Sequence, residues 1–141
     1  MSPEEITNTM MRNDAFSQWL GIQVTSTQSG YCKLSMKTRD EMLNGFGILH
    51  GGISYSLADS ALAFASNSHG QHAVSIETSI SHLKPVRTGE TLTAIATERS
   101  ISHKIAIYDI EVFNENSVKI ALFKGTVYRK STEWKNDSKS S

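Results

Sequence analysis

The chain has one cysteine, no net charge and no long apolar run, and each of these shortages narrows what it can be. A single thiol, Cys32, excludes an intrachain disulfide framework, and no charged leader followed by an apolar stretch opens the chain, so a reducing cytoplasm is the expected compartment. Fourteen basic side chains balance fourteen acidic ones and the two are scattered, so no electrostatic footprint for nucleic acid or an anionic membrane is present. The most apolar region, residues 53–65, is broken by serines and by Asp59 and falls short of the roughly 20 residues of a membrane span. No internal repeat and no linker is visible. With 141 residues, a single soluble domain with one hydrophobic core is expected, occupying residues 1–130 and followed by a polar, frayed tail over 131–141.

The local signals predict the elements in order. Ser2, Pro3 and Glu5 supply an N-cap, a proline at the first helical position and the acidic arm of a capping box, and Ile6, Met10 and Met11 follow. Asp14 caps a second short helix that Gly21 ends, with Phe16, Trp19 and Leu20 as apolar anchors. Residues 22–37 alternate around Gln28-Ser29-Gly30 and read as a hairpin, which makes Cys32 a packed strand residue rather than a nucleophile. Gly51 to Ser68 reads as one long helix, apolar nearly all round and therefore wrapped by protein. Strand signals then cover 73–86, 91–100, 104–113 and 118–129, and their short polar connections predict that neighbours pair antiparallel. The sum is an α+β arrangement, one antiparallel sheet facing one buried helix.

Two features carry chemistry. Between Gly51 and Ile76 the only formally charged side chain is Asp59, in mid-helix among Leu57, Ala58, Ala61 and Leu62. Aspartate is a poor helix former and costly to bury without partners, so this spacing fits a functional acid, a carboxylate on a solvated stripe, or one bonded across a subunit interface. The segment 44–52, Asn44-Gly45-Phe46-Gly47-Ile48-Leu49-His50-Gly51-Gly52, brings flexible backbone to the start of the same helix, where unpaired amides and the positive dipole end converge. Such a place suits a carbonyl oxygen gaining charge in acyl transfer, a phosphate, or simply a tight turn, although no lysine at P-loop spacing follows. Asp59 lies eight residues beyond Gly51, roughly 12 Å along one axis, so both reach one carbonyl only if two antiparallel helices from two subunits lie side by side.

Met42-Leu43-Asn44-Gly45, His50-Gly51-Gly52, Ser56-Leu57-Ala58-Asp59 and the stretch 63–70 closely resemble the PaaI hotdog thioesterases of phenylacetic acid degradation, and the likeness runs from about Asn13 to Arg129. The resemblance implies a hotdog fold, with the sheet wrapped around the helix, and subunits joined through continuous sheets into a homodimer or a dimer of dimers, a homotetramer. It implies hydrolysis of an acyl-CoA thioester without metal or other cofactor, phenylacetyl-CoA or a ring-hydroxylated aryl-acyl-CoA being the favoured substrate and medium-chain aliphatic acyl-CoA the alternative. By motif position, the Gly51 amide polarises the carbonyl, Asp59 of the neighbouring subunit is nucleophile or general base, Asn44 and His50 shape the loop and steady the thioester or water, and Ser75 orients water. Gly52, Lys84, Pro85, Arg87 and Lys104 are the candidate coenzyme A contacts.

The plain structural alternatives are that His50 braces the loop, Asn44 forms a turn, Ser75 is an ordinary strand residue, and the basic residues are merely solvated. His69 and His72 form an H-x-x-H pair without a third ligand at suitable spacing, and metal binding is not expected. Competing functions are a non-catalytic acyl-CoA-binding hotdog module, and a hotdog dehydratase or hydratase, whose acid and histidine sit in a motif absent here.

Overall fold

A computed structural model describes residues 1–136. The order is α1 (Pro3–Arg12), α2 (Ala15–Leu20), β1 (Gln23–Gln28), β2 (Tyr31–Lys37), a single 3-10 turn (Asp40–Met42), α3 (Gly51–Asn67), β3 (Gln71–His82), β4 (Thr91–Ile101), β5 (Ile105–Phe113) and β6 (Lys119–Glu133). The first two helices start where the caps require. Ser2 and Glu5 form the reciprocal capping box, Asp14 accepts from the Ser17 amide, and Gly21 closes α2 in the left-handed conformation. No helix among the described residues is long and apolar enough to cross a membrane.

The strands form one antiparallel sheet in the order β1-β2-β4-β5-β6-β3. It curls around α3, which presents Leu57, Ala58, Ala61, Leu62, Phe64 and Ala65 to it, all buried. The inward face of the sheet is built by alternation: Cys32, Leu34 and Met36 of β2 lie opposite Ala96, Ala94 and Leu92 of β4 and are sealed from water. Each large aliphatic side chain sealed in this way contributes on the order of 1.5–3 kcal/mol. This is the expected hotdog architecture.

Three expectations need correction. The connection 87–90 does not join a hairpin, and the strand expected to reach Val86 ends at His82, because β3 pairs with β6 whereas β4 pairs with β2 and β5. Burial decides it: β4 beside β2 covers the helix with buried side chains, whereas β3 is largely exposed and suits an edge. The β3–β6 ladder ends irregularly at Leu83 and Lys84, whose amides both donate to the Ile120 carbonyl, and Pro85 has no amide to continue it. Second, Phe16 and Trp19 are not core anchors, being 53% and 48% exposed. A six-residue helix buries one narrow face, here Ser17 and Leu20, while Trp19 lies stacked with Phe16 and under the Arg39 guanidinium, 4.5 Å from the ring centroid. Third, β6 runs on through Ser131–Glu133, past the expected domain end at 130. Trp134 anchors it, its indole Nε1 donating to Asn67 Oδ1 at 2.9 Å while its ring packs 4.3 Å from that of His72. The remainder of the expected frayed tail, 137–141, lies outside the described residues.

Candidate active site

The head of α3 is organised so that one amide is left over. His50 is the N-cap, and its Nδ1 accepts from the Gly52 amide at 2.8 Å while its carbonyl accepts from Ile53 at 2.9 Å. The Gly51 amide between them has no partner among the described residues. It therefore points an unused donor, reinforced by the helix dipole, at whatever lies before the helix.

The loop leading there is held by Asn44, whose Oδ1 accepts from the Phe46 and Ile48 amides at 2.8 and 3.3 Å. Asn44 is thus a turn former, and it also lines, with Gly51, Ser54, His82, Lys84 and Pro85, a cavity of about 380 Å³. His50 and Gly52 open instead to a neighbouring depression of about 350 Å³ walled by Phe16, Met42, Leu43 and Ile53. His50 braces the loop through its cap bond.

Asp59 lies about two turns along α3 and opens to a different cavity, of about 280 Å³, shared with Met10, Asn67 and Ser75. Its carboxyl is half-buried and has no hydrogen-bond partner among the described residues. Burial pushes its pKa upward, and the nearby Asp14 carboxylate pushes in the same direction. Asp14 is itself tied down by Ser17, whose hydroxyl also meets Ser60 Oγ at 2.8 Å. In one chain, then, Asp59 and Ser75 form one group and Gly51, Asn44, Lys84 and Pro85 another.

The other predicted residues are dispersed. Arg87 is exposed in the β3–β4 connection, and Lys104 stands in the β4–β5 turn, where its carbonyl accepts from Arg129. That turn is at the far end of the sheet from Gly51, because Ile105 lies opposite Tyr128 whereas His82, beside Gly51, lies opposite Ala121. His69 Nε2 pairs with Glu98, which also accepts from Tyr108, while His72 packs on Trp134, so the two histidines are engaged separately. Cys32 is fully buried, and burial pushes its thiol up to about 12. Two residues escape sequence reasoning. Asp14 reads there only as a cap, and nothing in Ser81-His82-Leu83 marks His82; its importance emerges only when β3 is laid against the head of α3.

The thioesterase superfamily model matches residues 46–121, which include all of α3 and the approach to it from Phe46 onward. The acyl-coenzyme A thioesterase PaaI of Escherichia coli K12 is 41% identical over 120 residues, spanning 85% of this chain and 86% of that protein. The structure of E. coli PaaI superposes with a TM-score of 0.91, covering 93% of this chain and 95% of that one. A variant of the phenylacetic acid degradation protein PaaI from Thermus thermophilus gives a TM-score of 0.80 at 37% identity, over 83% of this chain and all of the other. A Streptococcus mutans UA159 protein bound to acetyl-CoA gives 0.78 at 25% identity, covering 80% and 91%. The kinship follows the helix that carries Gly51 and Asp59 and extends over most of the chain, so this protein belongs to the thioesterase superfamily, as a PaaI-type hotdog hydrolase acting on thioester bonds.

Proposed function

We propose that this chain hydrolyses aryl-acyl thioesters of coenzyme A, phenylacetyl-CoA or its ring-hydroxylated relatives, to the free acid and coenzyme A. The observation that carries the reading is the partition of α3: an amide at its head and a half-buried carboxyl about two turns on, both without a partner among the described residues and each open to its own cavity. Neither half suffices alone. Two copies with antiparallel α3 helices bring the Gly51 amide of one to the Asp59 carboxylate of the other.

In that dimer the Gly51 N–H donates to the thioester oxygen and stabilises the charge it gains as the carbonyl carbon becomes tetrahedral. Asp59 of the partner subunit takes a proton from attacking water, or itself attacks to give an anhydride that water then opens. In both routes the carbon–sulfur bond breaks, the thiolate leaves as coenzyme A, and the proton removed from water neutralises it. Asp59 with a raised pKa is a better proton acceptor than an ordinary aspartate. Ser75 lies in the cavity of Asp59, which supports a role in orienting the water, and Lys84 on the wall of the Gly51 cavity supports a contact with a coenzyme A phosphate. The free edge of β3, with Val74 and Ile76 exposed, supports the join between subunits. The aryl preference is supported by the likeness to PaaI.

The test is thiol release from a panel of acyl-CoAs compared by kcat/KM. Phenylacetyl-CoA is expected to exceed hexanoyl-CoA by at least about tenfold, as differential filling of an acyl pocket allows. An aliphatic preference overturns the substrate assignment, and no thiol from any member overturns hydrolysis of acyl-CoA in favour of a binding module.

A further inference from the structure

His82 ends β3 on the wall of the Gly51 cavity and has no part in the chemistry above. A Cβ built on Gly51 would lie 2.9 Å from His82 Nε2 and 3.1 Å from Cε1, so the imidazole edge is packed against the head of α3. Gly51 is not among the glycines with left-handed backbone, so a side chain there would meet no special φ and would have to turn this exposed ring aside.

The ring is oriented by Ser54. Ser54 Oγ is 3.1 Å from the Gly51 carbonyl oxygen and 3.4 Å from His82 Nδ1. One hydroxyl has one proton, and the shorter contact, to the carbonyl, takes it. The Ser54 oxygen is then an acceptor for Nδ1–H, which fixes the neutral imidazole in the tautomer whose Nε2 carries the lone pair. An acceptor thus stands at the cavity beside the Gly51 donor.

A thioester has nothing to give that acceptor, since both its oxygen and its sulfur only accept. The first N–H along coenzyme A, counting from sulfur, is the pantetheine amide, two methylenes away. We propose that His82 Nε2 accepts this amide N–H and so positions the pantetheine arm while the Gly51 amide holds the carbonyl. The donor and the acceptor line one cavity, as a thioester oxygen and the amide that follows it along the same arm require. This inference rests on the acyl-CoA reading and adds a recognition contact to it.

The experiment compares His82→Ala with the wild type on three probes: phenylacetyl-CoA, the phenylacetyl thioester of N-acetylcysteamine, and S-butyl thiophenylacetate. The first two carry the amide and the third does not. Circular dichroism establishes that the exposed substitution leaves the fold intact. The expected loss in kcat/KM is about five- to tenfold on the amide-bearing probes, the size of one hydrogen bond, and distinctly smaller on the butyl thioester. His82→Gln, which keeps an acceptor, should recover part of the loss. Equal losses on all three probes would mean that His82 acts at the thioester itself, and no loss on any would mean that it touches no substrate; either overturns the proposal. Inactivity of the wild type on every probe is a separate result, which fails the acyl-CoA reading instead.

Discussion

Asp59 is held at a cost to the fold. Its carboxyl is half-buried, unpaired among the described residues, and raised in pKa by burial and by Asp14. A carboxyl with a raised folded-state pKa adds no penalty below the pKa of the unfolded chain; the penalty grows as pH rises from that value to the folded one and is complete above it. Asp59→Asn removes that penalty, so thermal unfolding at neutral pH should show the variant at least as stable as the wild type, with the difference vanishing in acid. Its kcat should nevertheless fall at least about a hundredfold, as for a lost base or nucleophile. A variant that unfolds earlier yet turns over normally would make Asp59 structural. The same raised pKa sets the acid limb of kcat/KM above that of an ordinary aspartate. Cys32 behaves oppositely: sealed in β2 with its thiol pushed up to about 12, it should resist iodoacetamide in the native protein, and activity should survive the treatment. Rapid alkylation with loss of turnover would contradict that. Among single residues, Asp59 was legible because a lone charge in an apolar helix stands out. His82 was not, because a histidine in a polar strand is unremarkable until its neighbour across space is known.

β6 passes close beneath α3 at Gly125. An added Cβ there would lie 2.5 Å from Cδ2 of the buried Leu62, which would have to shift toward the Asp59 cavity that it lines. Gly125→Ala is therefore expected to cost about 1–3 kcal/mol by overpacking, read from denaturant unfolding. Leu62→Ala in the same chain should recover part of it, and an unchanged single variant would show that the helix can ride higher on the sheet. The ends of elements were readable because caps are chemistry between near neighbours: Ser2 with Glu5, Asp14 with Ser17, Gly21 with its left-handed turn. The position of β3 was not. An alternating pattern says that a strand has two faces, but which strand closes over the helix and which is left at the edge depends on the summed burial of all of them. The same limit explains Phe16 and Trp19, whose apolar character predicted an interior that a six-residue helix has no face to provide.

For the whole molecule, the edge of β3 is the expected seam between subunits. Ile76 is 58% exposed on it, outside both the Gly51 and the Asp59 cavities. Ile76→Glu should yield a folded monomer in sedimentation and abolish most turnover, because it separates Gly51 from Asp59 of the partner subunit. A fully active monomer would place each site within one chain. Mixing Asp59→Asn with Gly51→Pro tests the same point from the other side: a mixed dimer has one site with both lesions and one with neither, so about half of its sites should work. Proline suits the first helical position and the extended His50 before it, and the nearest atoms to its Cβ belong to the exposed His82 side chain. The crossover that sends β3 to the outer edge also governs how the chain acquires its shape. The β1–β2 ribbon and the β4-β5-β6 meander close over short loops, whereas the β2–β4 seam joins Lys37 to Thr91 and spans the whole of α3 and β3. Closing that long loop carries a larger entropic cost than the short hairpin loops, and it is also the closure that encloses the helix. The edge proposed to meet a second copy is thus synthesised before its own intramolecular partner β6, and until β6 arrives it offers two unpaired sides to any neighbouring chain.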